Sequence, residues 1–509
     1  MVSDILNYLL IILGIIILYE IIRGLVVAKI REKLYRSVTE YIDQYKVRLD
    51  RFKLIHKLVV KQELLNNSEI HQAIIEHAEE KGIRIPQVQK QVEDYIEEIV
   101  PFFNLLSYYK IGYRIAHGLL NLVYEVVIDH ENAEKLEKIP PDSVVVFVMN
   151  HRSNIDYILV AYMLAQQISL SYAVGEWARV WPLEYIFKSF GAYFIRRRYR
   201  EKLYHLVLEK YVQLISLQGV TQGIFLEGGL SRDGRFRPAK VGILDYIIGI
   251  KKNPSFKKEL VFVPAAINYD WVLEDRNLLT EWKKGKEKSG FRDNISSLVR
   301  VVVGGPVIIT LNILRYFSGK LKHHGYASVS FGDPVSFSHL LKKHKTDFFS
   351  LERPKRLARV QTFADKLLQK IGEVVPVTPI SLVSAALLSF DSSFVSRDDL
   401  IRRVRYMRIG LKKKDCRIVI GRAFESSRES SRRLADEKET RQKDLVKFEE
   451  RLLEHEEAIR TVDVALELLK KRRAISMRKM GIVLSQKRKH LIEFYANSIR
   501  HLLDEKDYR

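Results

Sequence analysis

Across 509 residues the chain has a single cysteine, Cys416. No intramolecular disulfide can form and no Cys-rich metal site can be built, which points to a redox-neutral protein facing the cytosol. Several signatures are missing as well. No G-x-S-x-G elbow occurs, so the serine-nucleophile route of the α/β-hydrolases is excluded. The sequence carries no RNP-type aromatic motif and no zinc-finger spacing, which removes the usual nucleic-acid modules. An A-x-A cleavage signal does not follow the apolar N-terminus, which argues against a secretory leader. No internal repeat is present. The segment Glu425 to Asp444, "ESSRESSRRLADEKETRQKD", has almost no apolar content and reads as a solvated linker or frayed helix.

What the chain does have is positive charge. Its 85 Lys and Arg outnumber 62 Asp and Glu to give +23, so an acidic partner is expected: nucleic acid, anionic lipid or a phosphorylated substrate. Residues Ile5 to Tyr19 carry no charge, and the run extends past Glu20 to Ile22, close to the lower limit of about 17 residues for a membrane span. Arg23, Lys29, Arg31, Lys33 and Arg36 follow it, while Asp4 alone precedes it. By the positive-inside rule the bulk of the protein then stays in the cytoplasm, anchored by a single pass or held peripherally.

Texture divides the rest. Residues 1–28 form the expected anchor and 29–135 a helical domain, broken at Gly82 and Pro86 and resuming through Val88, Val92, Tyr95 and Ile96. From 136 to 345, short β-branched or aromatic runs ("VVVFVM", "GIFLEGG", "LVFVPAAI", "YASVSFGDP") alternate with stretches of helical length. That alternation predicts an α/β core, a mixed sheet flanked by helices, with active residues at strand ends. Residues 346–424 read as a helical extension around Pro376 and Pro379. Residues 425–509 read as the charged linker and C-terminal amphipathic helices, with Ile459, Val462, Leu466 and Leu469 on one face.

Chemistry gathers at the strand ends. "VVVFVM" runs into "NHRSNID", Asn150 to Asp156. Five residues on a regular helix turn about 500°, so His151 and Asp156 meet only if the first stands in the turn and the second in the first helical turn. There the carboxylate can take the imidazole Nδ1–H and leave Nε2 as a general base. "GAYFIRRR" ends an apolar run in arginines, of which Arg196 and Arg197 can grip a phosphate in bidentate fashion. "IFLEGGLSRDGR" places Glu227 near a core, where it needs a partner, beside Gly228 and Gly229, whose backbone N–H groups can approach a ligand; Ser231 and Arg232 follow as donors. "FVPAAINYD" sets Pro264 in a strand, which suits an edge or a strand end lining a groove. A solvated basic edge, a plain turn and a chance His-x4-Asp among 14 histidines are the competing bland readings of these blocks.

Taken in order, "NHRSNID", "GAYFIRR", "FLEGGLSRDGR" and "VFVPAAINYD" resemble the four blocks of the membrane-bound glycerol-3-phosphate acyltransferase family of the large bacterial and mitochondrial type. "QVEDYIEEI", "ASVSFGDPVSF", "VTPISLVSAALLS" and "LIEFYANSIRHLL" extend the resemblance over about residues 90 to 503. The resemblance implies a glycerolipid acyltransferase-like core with His151 and Asp156 as the catalytic pair. It implies substrate contacts from Arg152, Ser153, Arg196, Arg197, Glu227, Gly228, Gly229, Ser231, Arg232, Lys240 and Pro264. It also implies an acyl thioester donor (acyl-CoA or acyl carrier protein), glycerol 3-phosphate as acceptor, no cofactor and no metal, and an anionic membrane rather than nucleic acid as partner. Two departures stand out. Leu230 replaces the family's usual arginine, which leaves the phosphate to Arg196, Arg197, Arg232 or Lys240 and brings dihydroxyacetone phosphate and lysophosphatidic acid into view as acceptors. The chain also ends at Arg509, where larger members are expected to continue. A catalytically idle, basic membrane-surface protein is the reading from another class.

Overall fold

The protein is described from a computed structural model covering residues 57–102, 113–129, 135–164, 170–175, 179, 184, 187–188, 191–196, 199–283, 323–342, 348–421, 423–424, 443–479 and 481–504. The expected anchor (1–28), Arg197 and residues 425–442 of the expected linker lie outside the described residues. Among the described residues no helix is long and apolar enough to cross a membrane.

Among the described residues the centre is an eight-stranded mixed sheet flanked by helices. Its strands are β1 (Glu125–Ile128), β2 (Ser143–Met149), β3 (Ser171–Gly175), β4 (Tyr193–Ile195), β5 (Gln222–Phe225), β6 (Glu259–Tyr269), β7 (Tyr326–Phe331) and β8 (Val335–Ser336), ordered β1-β7-β6-β2-β5-β3-β4 with β8 alongside β6. The strands from β6 to β4 run parallel to one another. By contrast, β7 and β8 oppose β6, and β1 follows β7. The sheet therefore begins at Glu125, ahead of the boundary at 136 that texture suggested. Every residue of β2 is buried, as a near-continuous apolar run in a central parallel strand requires.

Helices pack where their caps and stripes dictate. Asn67 opens the helix Ser68–Lys81 by accepting from the N–H groups of Glu69 and Ile70. Gly82, at φ +64°, closes it, and Pro86 starts the next helix, Ile85–Ile99, whose Val88, Val92, Tyr95 and Ile96 face the core. On the other side, Ile380 N–H at the start of the helix Pro379–Leu388 donates to buried Asp270 at the end of β6 (2.8 Å). Asn268 holds Pro376 O (2.8 Å) and Ser498 Oγ (3.2 Å). Tyr495 of the helix Lys489–Asn497 donates to Asp275 (2.6 Å), and Arg472 pairs with the same carboxylate. The C-terminal helices thus close over one end of the sheet.

Pro264 corrects one expectation. Its strand is interior, paired with β2 along its first seven residues, and not an edge. The fold accommodates it because β8 pairs with Val261 and Phe262 while β7 takes over only at Ala265. Gly332 N–H donates to Pro264 O (2.8 Å), so the missing proline N–H falls toward the same break between β8 and β7.

Candidate active site

The parallel strands β2, β5 and β6 end on the same side of the sheet, and the chemistry-bearing turns follow those ends. After Met149 the chain leaves the sheet, but β6 continues past the partner of Met149, Ala265, to Tyr269. The Asn150 amide bridges the difference, donating to Ile267 O (2.9 Å) and accepting from Ile267 N (2.8 Å). This clamp fixes the turn that carries His151. Asp156 then opens the helix Asp156–Leu164, where its negative charge suits the N-terminal dipole.

His151 and Asp156 meet at 2.8 Å (Nδ1 to Oδ2), with both side chains almost wholly buried. Opposite an ionised carboxylate Nδ1 must carry the proton, which leaves Nε2 as the basic nitrogen. The same Oδ2 accepts from the N–H of Arg152 (2.7 Å) and Ser153 (3.0 Å), and Oδ1 accepts from the Tyr269 hydroxyl (2.6 Å). The imidazole ring stacks on Phe225 (4.2 Å, 27°), and the Tyr157 hydroxyl stands 3.5 Å from Nε2.

Glu227 has the partners its burial demands. Its Oε1 accepts from His151 N–H (3.0 Å) and its Oε2 from Arg237 N–H (2.8 Å). Burial pushes its pKa above the ordinary carboxylate value, against the pull of Arg152 and the two N–H donors. Ser231 is also tied inward: its N–H donates to His151 O (3.1 Å) and its hydroxyl to Arg235 O (2.6 Å). The Glu-Gly-Gly loop therefore braces the His151 turn. Gly228, at φ +62°, uses its N–H to close a turn onto Phe225 O (3.0 Å); Gly229 is buried beside it.

The arginines divide. Arg152 is buried (2% exposed), donates Nη1 to Gly234 O and lies over the Phe236 ring at 5.3 Å. Among the described residues its Nε and Nη2 have no hydrogen-bond partner, and burial depresses its pKa. Arg196 is taken up by Glu98, with Nε at 2.8 and 3.1 Å from its two oxygens, and sits over Tyr199 at 4.8 Å. Arg179 shares that carboxylate (2.9 Å). Arg232 pairs with Glu281 (3.2 Å), and Lys240 is exposed beside Gly228. Pro264 packs under Gly332 within the sheet. The structure thus gathers His151, Arg152, Ser153, Asp156, Glu227 and Ser231 around one turn and sets Arg196 on a Glu98 cluster of its own.

Sequence reading missed four contributors: Tyr269, Asn150, Arg237 and Glu274. The last accepts from Ser153 Oγ (2.7 Å) and Asn154 N–H (3.2 Å) and has its pKa raised by burial. A usable signal was the tyrosine ending a long apolar strand in "FVPAAINYD", since a buried phenol needs a hydrogen-bond partner.

A mixed sheet presenting a His–Asp pair at the end of a central strand, braced by a Glu-Gly-Gly loop, is the core of an acyltransferase, and the family model described as "Acyltransferase" matches residues 130–268. A second model, described as "Glycerol-3-phosphate acyltransferase C-terminal region", matches residues 310–505. The chain belongs to the glycerol-3-phosphate acyltransferase family. It is similar to the glycerol-3-phosphate acyltransferase of Aeromonas hydrophila subsp. hydrophila, 29% identical over 381 residues that make up 73% of this chain and 44% of that protein. It is also similar to that of Haemophilus influenzae (strain PittEE), 27% identical over 74% of this chain and 45% of that protein. The chain thus spans less than half the length of the curated relatives it matches. Among solved structures, the 1-acyl-sn-glycerophosphate (LPA) acyltransferase PlsC from Thermotoga maritima aligns over 62% of this chain and 97% of that one at 15% identity, with a TM-score of 0.26.

Proposed function

We propose that this chain transfers a fatty acyl group from an acyl thioester, acyl-CoA or acyl carrier protein, to the 1-hydroxyl of glycerol 3-phosphate. The observation that carries the reading is the buried His151–Asp156 contact, 2.8 Å at Nδ1, which leaves Nε2 to act as base. His151 takes the proton of the acceptor hydroxyl as its oxygen attacks the thioester carbonyl. The C–S bond then breaks, and the leaving thiolate recovers the proton from the imidazolium. No acyl-enzyme is required. Cys416 is suited to none, being buried with its thiol pushed up to about 11.

Holding the acceptor's phosphate so that its hydroxyl meets His151 would supply much of the rate. Arg152 is the cation best placed for this, being next to His151 and having two guanidinium nitrogens without partners among the described residues. Arg196 and Arg232 would first have to loosen contacts with Glu98 and Glu281. Leu230 leans partly buried against the core where the family usually has arginine, and it keeps dihydroxyacetone phosphate and lysophosphatidic acid as rival acceptors of the same chemistry. The apolar N-terminus and the basic balance fit attachment to an anionic membrane with the site toward the cytoplasm.

The test is acyl transfer to labelled glycerol 3-phosphate, dihydroxyacetone phosphate and lysophosphatidic acid, each with a long-chain acyl-CoA and with acyl carrier protein, beside His151→Ala. Loss of about a hundredfold or more in the variant is expected. Wild type inactive on every pair refutes the function, and activity surviving in His151→Ala refutes the mechanism.

A further inference from the structure

We infer that Tyr269 is a positioning residue for this reaction: its hydroxyl, bound to the second oxygen of Asp156, sets how much negative charge the carboxylate presents to His151. The inference rests on the acyl-transfer reading above. Tyr269 lies 113 positions from Asp156, is fully buried and ends the longest strand of the sheet. Its hydroxyl donates to Oδ1 at 2.6 Å, while Oδ2 carries His151 Nδ1, Arg152 N and Ser153 N. The carboxylate is thus divided into one oxygen serving the local turn and one held from β6. The phenol stays a donor at neutral pH, because burial and the neighbouring carboxylate push its pKa well above the ordinary value.

A donor on Oδ1 withdraws charge from the carboxylate and blocks its rotation. Without that donor, more charge falls on Oδ2 and on the His151 Nδ1–H. The imidazolium is then better stabilised, and Nε2 becomes available as a base only at higher pH. The ring also loses its fixed orientation toward the acceptor. Other charged or titratable groups face the pair: Tyr157 at Nε2, Glu227 on the His151 N–H, Arg152 near Asp156 and Glu227, Glu274 on Ser153 and Asn154, and the neutral buried phenol of Tyr124, which feels the Asp156 charge without bonding to it. The described contacts place none of them on Oδ1. Tyr124 offers an internal comparison: it is a buried phenol with its ring 5.5 Å from that of Tyr269, and its hydroxyl donates to Trp271 O (2.6 Å).

The experiment compares Tyr269→Phe, Tyr124→Phe and wild type in the kcat/KM against pH profile for glycerol 3-phosphate. It adds titration of the His151 imidazole by NMR of 15N-histidine-labelled protein, with His151→Gln to assign the resonance. Tyr269→Phe is expected to lower kcat about tenfold or more, the scale of a hydrogen bond to a charged group. It should leave KM within about twofold and move the acid limb and the imidazole midpoint up by about one pH unit, which corresponds to 1.36 kcal/mol of charge interaction. Tyr124→Phe should move neither. A midpoint in Tyr269→Phe that coincides with wild type, or one that Tyr124→Phe shifts equally, overturns the inference. If wild type transfers no acyl group but the midpoint still rises in Tyr269→Phe, the functional reading fails and the positioning role stands.

Discussion

Replacing Gly234 by alanine probes the seam between the Glu-Gly-Gly loop and the C-terminal helices. Gly234 has φ +86°, and a Cβ there would fall 1.9 Å from Phe494 O and 2.8 Å from Phe494 C, where real contacts need at least 3.0 Å. The obstacle is backbone, so either the loop or the helix Lys489–Asn497 must retreat by more than an ångström. A left-handed alanine costs about 1–2 kcal/mol, and overpacking a filled site costs about 1–3 kcal/mol more. The expected loss is therefore about 2–5 kcal/mol of unfolding free energy, read by denaturant melts. Function should suffer too, because Gly234 O holds Arg152 and Asp233 O holds the Asn497 amide (2.9 Å). Gly219 supplies the control: at φ +82° its Cβ would meet only the tip of the Lys258 side chain, which can swing aside. Gly219→Ala should lose only the backbone part, about 1–2 kcal/mol. Equal losses at the two positions, or a Gly234→Ala protein as stable and active as wild type, would refute the claim that the C-terminal helices brace the loop.

Asp270, fully buried, has its carboxyl pushed up to about 6 from an ordinary 3.8. The folded chain then holds this proton more tightly than the unfolded one, so its contribution is full below about pH 3.8 and is lost as pH rises through about 6. Across that window wild type should lose about 3 kcal/mol relative to Asp270→Asn in denaturant melts at stepped pH, and parallel curves would sink the prediction. Asn150→Ala strips both partners from Ile267 in a buried site and should cost about 2–5 kcal/mol, visible as a lower denaturation midpoint; a change under about 1 kcal/mol would mean that water replaces the amide. Glu98→Gln removes the charge that holds Arg196 and Arg179, and it should weaken the packing of the helix Ile85–Ile99 on β4. Faster hydrogen exchange in that helix is the expected readout, and unchanged exchange would count the cluster as ornamental to stability.

Local pattern alone accounts for the features set by near neighbours in the chain. His151 and Asp156 share one turn, so five residues of spacing and a strand-to-helix transition were enough to bring them together, and the 2.8 Å contact follows from that turn. Periodicity likewise suffices for the helices, because Val88, Val92 and Ile96 recur at helical spacing and face inward. Features that depend on partners far along the chain follow only from how it folds. Whether Pro264 lies at an edge is a property of β7 and β8, which follow it by more than sixty residues. Arg196 looks free in "FIRRR" until Glu98, 98 positions away, takes its guanidinium. Tyr269 reaches Asp156 only because β6 outlasts β2 in the folded sheet. The physical reason is common to all three: buried charges and hydroxyls must be paired, but which partner arrives is set by how the chain closes on itself, which no local pattern encodes.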